Sequence, residues 1–247
     1  DDIMDAAPLR RGQATVHTKW NLNAAILSGD VMLIYAYDYL LRLDAPSRIA
    51  EIVKVFNRVA REVCEGQQMD IDFETRSDVS IPEYLRMIEL KTSVLIAGAL
   101  EMAGLAAGAS IDDVKHLYEF GRNVGIAFQL QDDILDTFGD AAEVGKQIGG
   151  DIVQNKKTYL ILKALELADE PDRASLFELM NTPTIDAETK IDQVKTILNL
   201  YNIRFLTQTA KQEFQDRAFE HLSALSIPTS NRVALESLAH NLLDRTY

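Results

Sequence analysis

Residues 117–138 read LYEFGRNVGIAFQLQDDILDTF, a stretch apolar on most faces of a helix that ends in a dense acidic group, Asp132, Asp133 and Asp136. A helix that is apolar all round is normally central in its bundle. The pattern therefore predicts an inner helix over Leu117–Phe138 that carries carboxylates into the interior. Trp20–Leu43 and Leu85–Ala107 are apolar in the same way and are expected to be inner helices too. Amphipathic stretches at Arg48–Cys64, Tyr159–Leu167, Arg173–Met180, Ile191–Leu225 and Val233–Leu243 are expected to form the outer layer, with a break near Asn202 left open. Chain breaks fall at Pro8, Pro46, Pro82, Gly108–Ser110, Gly139–Gly150, Pro183 and Pro228. Ser47 and Ser110 offer helix-entry chemistry, the latter followed by Asp112 and Asp113.

Composition agrees with an all-α fold. Gly (12) and Pro (6) are scarce among 247 residues, and 47% of the chain is hydrophobic, enough for one large core. No repeat or low-complexity linker marks a second domain, so a single-domain helical bundle is expected. The net charge of -13 disfavours nucleic acid, and no basic patch overrides it. Such a protein binds polyanions when divalent cations stand between the two negative partners. The single cysteine, Cys64, excludes a disulfide framework and points to a reducing, cytoplasmic setting, with the thiol expected to be buried. Asp30, Asp38 and Glu101 interrupt the longest apolar runs, so no membrane-spanning helix is expected. The chain opens on Asp1 without a signal-peptide pattern, and its start reads as a truncation.

One acidic pattern occurs twice, as Asp1-Asp2-Ile3-Met4-Asp5 and as Asp132-Asp133-Ile134-Leu135-Asp136. On a helix, residues i and i+4 share a face, so Asp1 with Asp5 and Asp132 with Asp136 each form a carboxylate pair suited to a hard cation such as Mg2+. A single copy would read as a solvated helix face. The second copy lies within an apolar helix, where unpaired carboxylates are costly, and a metal or basic ligand explains it better. Basic residues follow each cluster: Arg10 and Arg11 after the first, Lys146, Lys156 and Lys157 after the second. Guanidinium forks and glycine-flanked backbone suit diphosphate oxygens, while surface ion pairing is the competing reading for each residue.

Taken in order, these elements resemble the trans-polyprenyl diphosphate synthase family. The resemblance rests on the first aspartate-rich motif with Arg10-Arg11-Gly12 and Thr15, on Lys91-Thr92, on Phe128-Gln129 before the second motif, and on Gly145-Lys146 through Asp151 to Lys156. It spans residues 1–247 as one polyprenyl synthetase domain of the isoprenoid synthase type, with a central cavity and without the helices that precede the first motif in the family. It implies that isopentenyl diphosphate condenses with an allylic diphosphate to a short- to medium-chain all-trans product, with Mg2+ as cofactor. Asp1, Asp5 and Asp132 would ligate the Mg2+ cluster, with Asp2, Asp133 and Asp136 as further ligands or behind them. Arg10, Lys91, Lys146 and Lys156 would hold the allylic diphosphate, Arg11 would help bind isopentenyl diphosphate, and Thr92 and Gln129 would stabilise the carbocation. Gly66-Gln67 and Asp70 are also recognisable and read as structural. The resemblance, with the large apolar helices, implies a homodimer. Met32, Tyr35 and Tyr39 are expected along the product tail. A regulatory subunit of a heteromeric synthase and a class I terpene cyclase are the competing functions; the intact pair of aspartate motifs disfavours both.

Overall fold

Helix entries in this chain are fixed by short polar side chains that accept from otherwise unsatisfied first-turn amides. Asn21, Ser80, Ser110, Thr158, Asp169 and Asp186 all do so. The computed structural model describes residues 2–139, 148–182 and 185–243, and almost all of its regular structure is helical. In order come α1 (Val16–Lys19), α2 (Leu22–Leu40), α3 (Ile49–Thr75) and α4 (Ile81–Ile88). A single π-helical turn, Glu89–Ser93, follows, then α5 (Val94–Ala106) and α6 (Ile111–Phe138). The remainder are α7 (Gly150–Val153), α8 (Tyr159–Leu167), α9 (Glu170–Asn181), α10 (Ala187–Leu200), α11 (Ile203–Ser223) and α12 (Thr229–Leu243).

Before α1, the two-residue strands β1 (Leu9–Arg10) and β2 (Gln13–Ala14) pair antiparallel. Arg11 and Gly12 turn between them at φ 52° and 72°, the positive values a tight hairpin demands.

As predicted, α6 is central. It packs along α11 on one side and along α5 and the π turn on the other, burying Val124, Ile126, Leu130 and Ile134. The break near Asn202 is present, with Asn202 in the left-handed region at φ 53°. Ser110 caps α6, accepting from the Asp113 amide.

Several expectations need correction. Trp20–Leu43 forms a helix as α2, yet none of its residues is buried, and Met32, Tyr35 and Tyr39 lie 70%, 58% and 66% exposed. Periodicity reports that a helix needs cover on every side, not that its own chain supplies it; α2 packs chiefly on α1 and α3. α3, expected to be an outer amphipathic helix ending at Cys64, is amphipathic and keeps one face exposed, but it is longer than expected. It runs on through Gly66 and buries Ile52, Val55 and Val59 against α5. Cys64 is exposed rather than buried. Ser47 does not cap α3, whose N-cap residue is Arg48. Leu85–Ala107 is not one helix, because the π turn interrupts it.

Candidate functional site

The π turn is held by backbone contact. A Cβ on Gly66 of α3 would lie 2.3 Å from the Lys91 amide nitrogen, and one on Gly125 of α6 would lie 2.5 Å from Ser93 Cα. Two helices thus close on the turn where neither has a side chain. An inserted residue in a helix often marks a functional position, and here Lys91 and Thr92 both line a cavity of about 140 Å3 between α3, α4 and α6. Lys91 Nζ donates to Asp70 Oδ2 at 2.6 Å, and Thr92 Oγ1 donates to Gln129 Oε1 at 3.4 Å. At the start of the turn, Glu89 accepts from Arg86 at 2.9 Å and from Arg122 at 3.0 Å.

The acidic end of α6 sets one carboxylate on the cavity and holds two by hydrogen bonds from neighbouring elements. Asp132 lines the cavity. Asp133 is only 2% exposed: Tyr84 Oη and the Tyr159 amide (3.3 Å) donate to Oδ2, and Gln129 Nε2 donates to Oδ1 at 3.3 Å. Burial, and then the charge of Asp151, push its carboxyl up to about 8. Asp136 accepts from the Asp151 amide at 3.0 Å, while its own carbonyl takes the Gly149 amide at 2.7 Å. The same two causes raise Asp136 to about 6.

The segment after α7 closes the cavity with Lys156, Lys157 and Thr158. Burial works against charge on Lys156, but Asp151, at 3.2 Å, together with Asp70 and Asp5 holds it above its ordinary range. Burial alone depresses Lys157.

A second cavity of about 270 Å3 shares Asp70, Met87, Lys156 and Lys157 with the first and adds Met4 and Asp5. Asp5 and Asp132 therefore stand on adjoining recesses walled by the same lysines.

The remaining predicted residues fall differently. Residues 2–6 form turns rather than the helix expected of the first motif, and the expected Asp1–Asp5 pair lies partly outside the described residues. Arg10 Nε donates to Asp2, and both line a separate recess of about 410 Å3 with His17 and Met32. Arg11 is exposed at the hairpin turn. Asp1 and Lys146 lie outside the described residues.

Of the lining residues, sequence reasoning gave no part to Tyr84 and Thr158, named Lys157 only among the basic residues after the second motif and Asp151 only within the resemblance, and gave Asp70 only a structural part. Asp70 was within reach: it sits one helical turn after Gly66, on the face of α3 that the glycine brings against the π turn. Asp151 follows Gly149-Gly150 directly, a visible signal, whereas Tyr84 carries none.

Among the described residues, no three His, Cys, Asp or Glu side chains converge closely enough to hold a cation unaided. Asp132, Asp70 and Asp5 instead stand around recesses that contain lysines. That split set fits a hard cation such as Mg2+, which uses one or two carboxylates and completes its shell with water and phosphate oxygens.

The family model described as Polyprenyl synthetase matches residues 1–200. A geranylfarnesyl diphosphate synthase of Natronomonas pharaonis is 37% identical over 248 residues, covering 100% of this chain and 70% of the relative. A solved geranylgeranyl pyrophosphate synthase superposes with a TM-score of 0.93 at 43% identity, covering 100% of this chain and 76% of the other. A polyprenyl synthase of Caulobacter crescentus, solved with calcium and isoprenyl diphosphate, superposes with a TM-score of 0.88 at 25% identity, covering 100% and 74%.

Proposed function

This chain belongs to the polyprenyl synthetase family, and from that premise we propose that it joins isopentenyl diphosphate to an allylic diphosphate with the help of Mg2+. It is a trans-prenyltransferase giving short- to medium-chain products. The observation that carries this reading is the convergence of Lys91, Thr92, Gln129, Asp132 and Lys156 on one cavity whose neighbour holds Asp5.

In this reading Asp5 and Asp132, with Asp1, would hold Mg2+, which would supply electrostatic neutralisation of the departing pyrophosphate. Lys91, Lys156 and Lys146 donate to the diphosphate oxygens and stabilise the same charge electrostatically. Thr92 and Gln129 turn oxygen dipoles toward the allylic carbon as positive charge develops there, and the isopentenyl double bond attacks it. The released pyrophosphate takes the proton, so no His or Glu base is assigned. Arg10 and Arg11 serve the two diphosphates from the hairpin side, with Asp2 orienting Arg10. Asp133 and Asp136 are anchored by hydrogen bonds, so they position the end of α6 rather than bind metal first.

We further propose a homodimer built on α2, because that helix leaves Leu27, Met32, Ile34 and Tyr39 at 61–70% exposure, more apolar surface than a stable monomer usually shows. No described helix is long and apolar enough to cross a membrane, and we read the enzyme as cytoplasmic.

Incubation of the chain with labelled isopentenyl diphosphate and allylic primers of increasing length, with and without Mg2+, tests the activity. Elongation that requires the metal is expected. Normal folding with no incorporation for any primer would leave the regulatory-subunit reading standing in its place.

A further inference from the structure

Lys190, in the first turn of α10, is 4% exposed. A buried ammonium normally pairs with a carboxylate, yet the partner of this one is a neutral amide, Asn155 Oδ1. Lys157 acts on Lys190 as a like charge, and burial, with Lys157 after it, lowers the Lys190 pKa. So costly a placement needs a structural return, and Asn155 supplies the clue.

Asn155 stands at φ 59° in the left-handed region, which asparagine tolerates better than other side-chain-bearing residues. It lies directly before Lys156 and Lys157, and its own carbonyl accepts from Lys157 Nζ at 3.4 Å. One residue therefore takes a lysine on its side chain and another on its backbone. The neighbouring Ile191 seals the other end of α7: its side chain lies where a Cβ on Gly149 would come within 2.7 Å. The first turn of α10 thus grips both ends of the short element that presents Asp151, Lys156 and Lys157 to the cavity.

We infer that Lys190 is a positioning residue for the diphosphate site, acting through Asn155 to aim Lys156 and Lys157. The inference rests on the prenyl-transfer reading and adds to it an element, α10, that touches no substrate. Lys190 also leaves a positive charge behind the two lysines, so its removal alters both their geometry and the field around them.

The test uses the full chain carrying Lys190→Met, Asn155→Gly or both. Glycine keeps the left-handed backbone and removes only the acceptor. Each single variant is expected to raise the KM for the allylic diphosphate and the Kd for magnesium pyrophosphate about tenfold, the lower end for residues that orient ligand-binding groups. The double variant should be no worse than the worse single one, because both remove the same link. Lys190→Arg, which keeps charge and donor, should recover part of the loss. Additive losses, or a lowered melting temperature with unchanged KM and pyrophosphate affinity, would refute the inference. If Lys190→Met does not fold, Asn155→Gly decides alone, and unaltered affinity in it is the refuting result. A wild-type chain that binds no magnesium pyrophosphate overturns the functional reading and the inference together. Wild-type binding matched by both variants overturns the inference only.

Discussion

Replacing Gly66 with alanine should separate catalysis from folding. The new Cβ would meet the Lys91 amide nitrogen at 2.3 Å and Leu90 carbonyl carbon and Lys91 Cα at 2.7 Å. All three are backbone atoms, so no rotamer change relieves the clash. Ordinary contact begins near 3.5 Å, and α3 and the π turn must therefore part by roughly 1 Å. Overpacking of this kind costs about 1–3 kcal/mol, offset by up to ~1 kcal/mol from the better helix propensity of alanine. The melting temperature should then fall by only a few degrees, at ~2–4 °C per kcal/mol for a chain of this size. Lys91 and Thr92 move with the turn, and a 1 Å misplacement of groups at the chemistry costs on the order of 100-fold in rate. Gly98→Ala is the matched control, because its Cβ would meet the side chain of Val59, Cγ2 at 2.3 Å, away from the cavity. Turnover of labelled isopentenyl diphosphate and circular-dichroism melts on both variants make the comparison. Near-normal turnover in Gly66→Ala, or an equal loss in Gly98→Ala, would show that the glycine at the π turn does not set the geometry of Lys91.

The same geometry sets three further outcomes. Asp132→Ala and Lys156→Ala should each lower turnover by about 100-fold or more while leaving the helical circular dichroism unchanged, since both groups face a cavity rather than the core; retention of half the activity in either would remove it from the site. Tyr84→Phe takes one of the three donors from the buried Asp133 carboxyl, so unfolding should become easier by about 1–3 kcal/mol, read by chemical denaturation. Leu27→Glu on the exposed apolar face of α2 should convert a dimer to a monomer in sedimentation without loss of helix; an unchanged sedimentation coefficient in a dimeric protein would place the interface elsewhere.

The helices were legible because apolar spacing and capping residues act locally: Tyr159–Leu167 begins and ends where its pattern does, and Ser110 starts α6. What periodicity does not encode is who covers whom. Thus α2, apolar all round, has no buried residue, while amphipathic α3 buries one face. The lysines and aspartates of the cavity were readable as residue types in order, but the π turn was not. It depends on close approach at Gly66 and Gly125, which are distant in sequence and silent in any helical pattern. Tyr84 escaped for the same reason, since an aromatic residue on an amphipathic helix is indistinguishable from core until the Asp133 carboxyl is found beside it.

An acidic chain that handles two polyanionic substrates must localise its positive charge, and the geometry shows how that is done. Lys91 and Lys156 each lie against a carboxylate, Asp70 and Asp151. These pairs lower the cost of holding ammonium groups in a partly buried recess before an anion arrives, at the expense of some field at the substrate. Lys157 and Lys190 differ: burial depresses both, and the charge of Lys157 adds to the effect at Lys190. An incoming diphosphate is the charge that would stabilise both ammonium forms. Binding should therefore draw protons onto these amines when it is measured at a pH near their depressed values. Calorimetric titration with pyrophosphate in buffers of different ionisation enthalpy measures that uptake. Its disappearance in Lys157→Met with Lys190→Met, and not in Lys163→Met on exposed α8 surface, is the outcome this division of labour requires.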